Sequence, residues 1–284
     1  MVFSGTGFWY KCQGSTGMKA IRSLLSFLLL ASAVLSQDAP ACGKKRSKNQ
    51  PGVEWPWLGS IVELEGEKPE YVCMGMLISR KHVVTAAHCF DAKSLDTRKY
   101  NVFLETDSSD AGTAYNIQLI DLHPSYIPGS SYADLAILTL EADVADATIP
   151  ICLPDPTEVY DYKPSFVAEW LPKSPGAGPP YQLKAQRALI STNEVCKMQY
   201  SSLVLDTLDQ GITDNELCTD LRARQGDCTR LNASPLMIPD RSVRWKLASI
   251  AAYRHSCDDQ SYPGVYTRIT QYLPWIESMI SSTR

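Results

Sequence analysis

From Trp55 onward, short apolar runs alternate with turn residues, and long helical periods are missing until the very end. The first half carries Leu58–Leu64, Val72–Ile78, Asn101–Leu104, Tyr115–Leu122 and Leu135–Leu140. The second half carries Ser165–Trp170, Ala185–Ile190, Leu236–Ile238, Trp245–Ala252 and Gly264–Ile269. Each run has the length of a strand, and Gly, Pro, Asp and Ser separate them. This pattern predicts an all-β sandwich or barrel. The tail Gln271–Ser282 departs from it, with Leu273, Ile276, Met279 and Ile280 at three- and four-residue spacing, and predicts an amphipathic helix. Ser174–Tyr181, rich in Pro and Gly, reads as a loop. No internal repeat is visible.

The N-terminal pattern is different. Met18-Lys19-Ala20-Ile21-Arg22 is a short basic region, and an apolar run follows from Leu24 to Leu35 with small residues Ala31, Ser32, Ala33 and Ser36. The run is too short to span a bilayer comfortably. It reads as a secretory signal cleaved near Ser36-Gln37. The expected organisation is an N-terminal extension and signal over 1–36, a polar leader over 37–54, and one folded domain over 55–284. No second apolar run long enough for a membrane helix follows, so the mature chain is expected to be secreted and to lack a transmembrane segment.

Charge narrows the partners. Loss of the first 36 residues removes Lys11, Lys19 and Arg22 and no acid, which moves the net charge from -4 to about -7. That argues against nucleic acid and anionic lipid as ligands. The basic run Lys44-Lys45-Arg46, with Lys48, reads as a solvated loop, or else as a protease-sensitive site or an acidic-partner contact. Of nine cysteines, eight lie beyond the signal, and an even count in a secreted chain reads as a disulfide framework. His82, His123 and His255 show no metal-ligand spacing, and no metal or cofactor is expected.

Four ordered motifs carry a family resemblance. They are Val83-Val84-Thr85-Ala86-Ala87-His88-Cys89, Asp134-Leu135-Ala136-Ile137-Leu138, Ile151-Cys152-Leu153-Pro154 and Pro263-Gly264-Val265-Tyr266-Thr267-Arg268-Ile269. With them the chain resembles the chymotrypsin/trypsin-like serine proteases. The resemblance implies two packed six-stranded antiparallel β-barrels and a C-terminal α-helix. It also implies the pairs Cys42–Cys152, Cys73–Cys89, Cys196–Cys218 and Cys228–Cys257. A further bridge found in many members lacks both ends here, because Ser165 and Ile238 stand at those places.

The segment that should carry the nucleophile breaks the pattern. It reads Gly226-Asp227-Cys228-Thr229-Arg230-Leu231-Asn232-Ala233-Ser234-Pro235-Leu236. The family stretch runs Cys, any residue, Gly-Asp-Ser-Gly-Gly-Pro-Leu. Alignment of Cys228 and Pro235-Leu236 without a gap places the family serine on Asn232. A carboxamide nitrogen is delocalised and has no proton whose loss at neutral pH yields an attacking anion. His88 and Asp134 then stand as remnants of the triad, a hydrogen-bonded pair without a nucleophile.

Neighbouring positions point the same way. Arg230 replaces the glycine whose N–H serves the oxyanion hole; any side chain there crowds the oxyanion site, and a donor lost from such a site costs about 10²–10³ in rate. Leu231 replaces the aspartate that pairs with a new N-terminus after activation. The segment from Cys42 to Trp55 contains no Ile-Val-Gly-Gly-like start to supply that terminus. Around the specificity pocket, Ala252-Tyr253-Arg254 replaces Ser-Trp-Gly, Arg254 is expected to obstruct the mouth, and Gly226 leaves the base uncharged. The expected function is a catalytically inactive secreted homologue that binds an extracellular protein, an active protease or its substrate, as cofactor, regulator or decoy in a proteolytic cascade such as innate immunity. Asp206–Glu216 and Ser174–Tyr181 are the expected contact surfaces. The alternative is an active endopeptidase whose nucleophile is Cys228 or a displaced Ser234. Asn232-Ala233-Ser234 is also a glycosylation sequon, expected to be unmodified because Pro235 follows it.

Overall fold

The structure is a computed structural model, described here over residues 41–46, 53–64, 69–91, 93–174, 177–203, 205–220, 232–253 and 262–282. From Ala41 on, the chain forms one compact unit built on two closed antiparallel barrels. The first comprises β1 (Leu58–Glu63), β2 (Glu70–Leu77), β3 (His82–Thr85), β4 (Tyr100–Leu104), β5 (Thr113–Leu122) and β6 (Ala136–Leu140). Its strands close in the order β1-β2-β3-β6-β5-β4. The second comprises β7 (Pro164–Leu171), β8 (Gln182–Ser191), β9 (Glu216–Thr219), β10 (Pro235–Pro239), β11 (Trp245–Tyr253) and β12 (Val265–Arg268). Traced from β7, its order is β7-β8-β9-β12-β11-β10, the same circuit as the first. The two halves therefore repeat one topology that no sequence repeat announces. Closure leaves neither barrel with an open edge to pair with another chain.

The apolar runs form strands close to the bounds their pattern predicts. Three elements escape it. Strands β3 and β9 are four residues each, too short to display alternation, and both are buried throughout. Helix α1 (Asn193–Tyr200) is largely polar; the Thr192 hydroxyl accepts the Val195 N–H at its start, and Cys196 ties it to Cys218 on β9. Helix α2 (Leu273–Ser282) follows a 3-10 turn at Ile269–Gln271 and buries Leu273 and Ile276, with Met279 and Ile280 against the same core.

Aromatic and sulfur contacts cross the seam between barrels. Trp57 Nε1 donates to Met237 Sδ at 3.2 Å, and Trp170 Nε1 to the Gly59 carbonyl at 3.4 Å. Trp55 packs edge-on against Trp245 with ring centroids 4.7 Å apart. The leader is stitched on covalently and by backbone: Cys42 is bonded to Cys152, Gly43 N–H donates to Pro150 at 2.7 Å, and Trp245 N–H donates to Gly43 at 2.8 Å. Gly43 is required there, because its φ is +69° and a Cβ would lie 2.4 Å from the Trp245 carbonyl oxygen. The pairs Cys73–Cys89 and Cys196–Cys218 close loops of 16 and 22 residues, and Cys42–Cys152 one of 110. In the chain-entropy picture, loops of these sizes stabilise by about 3 kcal/mol for the short ones and about 4.7 kcal/mol for the long one. Cys228 and Cys257 lie outside the described residues.

Strand β10 pairs with β7 as Leu236↔Val167 and Met237↔Phe166, so one further step sets Ile238 opposite Ser165. Both are buried, and the Ser165 hydroxyl donates to the Ala188 carbonyl at 2.9 Å. A hydrogen bond and an apolar contact thus occupy neighbouring strands where relatives are expected to carry a bridge.

Three surface segments singled out in the sequence also make contacts to the body of the fold. Lys44 and Lys45 are exposed, and within that solvated stretch Lys45 meets Glu54 at 2.6 Å and Arg46 donates to the Ala147 carbonyl at 3.0 Å. In the stretch Asp206–Glu216, Leu208 and Ile212 sit in an apolar cluster and Glu216 is buried on β9, while Asp206, Asp209, Gln210, Asp214 and Asn215 are exposed. Tyr132 fixes it from the other barrel by donating to the Gly211 carbonyl at 2.7 Å. In Ser174–Tyr181 the last residue is likewise tied down, its ring against Tyr71 and its backbone bonded to Ser109.

The hairpin between β10 and β11 turns through Val243, an exposed β-branched residue at φ +60°. A left-handed conformation costs an L-residue about 1–2 kcal/mol, and part of that is offset by the looser unfolded chain that glycine gives. Val243→Gly should therefore stabilise by about 1 kcal/mol and raise the calorimetric Tm by about 2–4 °C. An unchanged or lower Tm would show that the turn carries no such strain.

Candidate active site

The site starts from a turn and a disulfide. After β3 the chain enters a 3-10 turn, Ala87–Phe90, which carries His88. The next residue, Cys89, is bonded to Cys73 on β2, and Thr85 Oγ1 donates to the Met74 carbonyl at 2.7 Å. These two ties fix the turn to the barrel wall. Asp134, 1% exposed, precedes β6 and meets His88 twice. The His88 backbone N–H donates to Asp134 Oδ1 at 2.8 Å, and ring Nδ1 lies 2.6 Å from Oδ2. A carboxylate only accepts, so Nδ1 carries the proton in this contact. The His88 side chain retains 25% exposure. This arrangement has the form of a general base held in one orientation.

The aspartate is positioned from behind. Ala133, at φ +51°, makes the tight turn before it, and the hydroxyl of Tyr272 meets the Ala133 backbone. Burial pushes the Tyr272 phenol up to about 12, helped by the charges of Glu216 and Asp134. His123 packs edge-on against Tyr272 and Trp275, with centroids 5.1 and 4.8 Å away, and burial lowers its pKa. Tyr272 and Ala133 carry no motif that would mark them in the sequence; only the fold brings the C-terminal helix behind the Asp134 turn.

Asn232 is half-buried, and its carbonyl accepts the Met74 N–H at 2.8 Å. Met74 adjoins Cys73, whose disulfide holds the residue after His88. Asn232 is thus tied to the wall that also fixes the histidine turn. Ala233 follows at φ +57°, fully buried. Ser234 is 5% exposed, and its carbonyl accepts the Ala251 N–H at 2.9 Å. Ala252 and Tyr253 are half-buried at the end of β11. Gly226, Cys228, Arg230, Leu231, Arg254, His255 and Cys257 lie outside the described residues. Among the described residues, Cys73, His88 and Cys89 approach one another at metal-ligand range, but both sulfurs are spent in the disulfide and offer no thiolate. His82 is a core residue, its Nδ1 2.6 Å from Ser79 Oγ and its pKa lowered by burial and by Lys81.

Paired barrels with a histidine turn pinned by a disulfide and a buried aspartate behind it define a two-barrel protease domain. Residues 45–276 match the family model described as Trypsin, and the chain belongs to that family. It is 32% identical over 234 residues to a venom protease of Bombus pensylvanicus, covering 77% of this chain and 91% of that protein. The clotting factor G beta subunit of Tachypleus tridentatus is 26% identical over 235 residues, with 79% and 75% covered. The proclotting enzyme of the same animal is 26% identical, covering 78% of this chain and 62% of its own length.

The clamp generates a stability prediction. Asp134→Ala leaves a part-buried backbone N–H and a ring N–H of His88 without their Asp134 acceptor, at about 1–3 kcal/mol each before water reaches them. The expected loss is about 2–3 kcal/mol in chemical denaturation. A loss below about 0.5 kcal/mol, the scale of a neutral surface change, would show that the two hydrogen bonds contribute little.

Proposed function

We propose that this trypsin-family chain cuts no peptide bond and acts by binding, as a secreted cofactor, regulator or decoy for an active protease or its substrate in an extracellular proteolytic cascade. The observation that carries the reading is Asn232 at the position where the family alignment sets the attacking serine. His88 and Asp134 keep the geometry of a base, but a base needs a hydroxyl or thiol to deprotonate. Arg230, Leu231 and Arg254 add losses at the oxyanion, activation and pocket positions of the same alignment.

The rival with a displaced nucleophile gains no support at Ser234. That residue is buried, and its backbone is committed to β11 through Ala251. Cys228 as a nucleophile would leave Cys257 without its expected partner in an oxidising compartment.

The setting rests on relatives named as clotting and venom proteases. The disulfides Cys42–Cys152, Cys73–Cys89 and Cys196–Cys218 fit an oxidising compartment. No helix among the described residues is long and apolar enough to cross a membrane.

Restoration of the serine alone tests how deep the loss goes. Asn232→Ser should remain without measurable hydrolysis of peptide substrates, before and after limited trypsin treatment, because Arg230, Leu231 and Arg254 remain, and a lost oxyanion donor alone costs about 10²–10³-fold. Turnover within about 10²-fold of an ordinary trypsin-like enzyme would contradict that. Cross-linked capture from native fluid should recover an active trypsin-family protease or its substrate; recovery of this chain alone would count against the binding role.

A further inference from the structure

Beside the leader lies a groove of about 770 Å³, whose wall joins the leader, the turn after β4, and strands β7 and β8. Its volume falls in the range of real ligand sites. Trp55 and Phe166 line it, and both pack edge-on against Trp245, at 4.7 and 5.2 Å between centroids. Glu54, Glu105 and Asp107 add three carboxylates to the lining. Aromatic faces and carboxylates together are the chemistry that receives an ammonium or guanidinium.

The protein's own cations already show that preference. Lys45 Nζ stands 4.9 Å from the Trp55 centroid and 5.8 Å from that of Trp245, while 2.6 Å from Glu54 Oε1. The Arg187 guanidinium lies 5.9 Å from the Phe166 centroid. Lys45 is held at the surface, with 38% of its side chain exposed, so another cation can exchange with it. Glu105 is already engaged by Thr148 at 2.5 Å and by Arg46 at 3.8 Å. Asp107 is exposed and enters none of the ion pairs seen among the described residues. The groove therefore holds one carboxylate shared with a displaceable lysine, a second with no cation on it, and an aromatic floor.

We propose that this groove docks lysine or arginine side chains from an extended basic segment of a partner protein, with Lys45 as the intramolecular stand-in. Charge complementarity carries the choice of occupant, locally through Glu54 and Asp107 and globally through a mature chain near -7. The proposal extends the binding role above but does not require catalytic inactivity, since an active chain could carry the same groove.

The test titrates the full-length chain with an acetylated, amidated peptide of alternating glycine with lysine and arginine, by calorimetry at low and high salt. Saturable binding that weakens with salt is expected. Glu54→Gln and Asp107→Asn should each weaken it about two- to fivefold. Lys45→Ala should tighten it by about threefold, because it vacates Glu54 and the Trp55 face together. Glu277→Gln, on α2, should change nothing, and thermal melts confirm that each variant is folded. The proposal is overturned by no saturable binding, by equal binding of a peptide with glutamine at the basic positions, or by indifference to all three groove variants. A peptidase assay on the same preparation decides catalytic activity separately, so either idea can fail alone.

Discussion

The double hydrogen bond between Asp134 and His88 is the constraint around which the first barrel's face is organised. One buried carboxylate accepts from a backbone N–H and from a ring nitrogen of the same residue. It thereby fixes the histidine turn to the loop before β6, while Cys73–Cys89 fixes it to β2. Tyr272 reaches the neighbouring backbone from the second half of the chain. The fold spends this much structure on one side chain whether or not a nucleophile stands opposite. Removal of a serine hydroxyl does not unpick these bonds, so a chain of this family can keep its base, its barrels and its stability while the reaction is lost.

The two barrels repeat one circuit of strands, yet they differ in what they contribute. The first supplies the histidine and aspartate on elements closed by β3 and β6. The second supplies the segment through Asn232 and Ser234, anchored by Met74 across the seam and by Ala251 within its own sheet. The seam is dense with Trp55, Trp57, Trp170 and Met237, which gives it the character of a core rather than of a hinge. The leader closes over one side of it through Cys42–Cys152 and Gly43, and that is where Lys45 meets the aromatic cluster.

Much of this was legible from residue order. Apolar runs with turn residues between them marked most strands, because half-buried strands alternate and buried ones are short and apolar. The motif around His88 and the one at Asp134 fixed the candidate pair, and the gap-free count from Cys228 to Pro235 singled out Asn232. What stayed hidden was either too short or too long-range. Strands β3 and β9 offer four residues apiece. Tyr272 behind Asp134, and Lys45 on Trp55 and Trp245, are contacts between segments far apart in sequence, and no local pattern encodes them. Within Asp206–Glu216, Leu208, Ile212 and Glu216 anchor the stretch to the core while its polar residues between them stay exposed, a division that composition alone does not reveal.

The central claim, that no side chain of this protein is an activated nucleophile, is tested most directly by intact-mass spectrometry after incubation with a fluorophosphonate and with iodoacetamide under non-reducing conditions. For the chain from Gln37 on, which lacks Cys12, the account requires an unshifted mass with both reagents, while an active trypsin-family control takes up one phosphonyl group. A stoichiometric adduct mapped to Ser234 or Cys228, and lost in a His88→Ala variant, would contradict it.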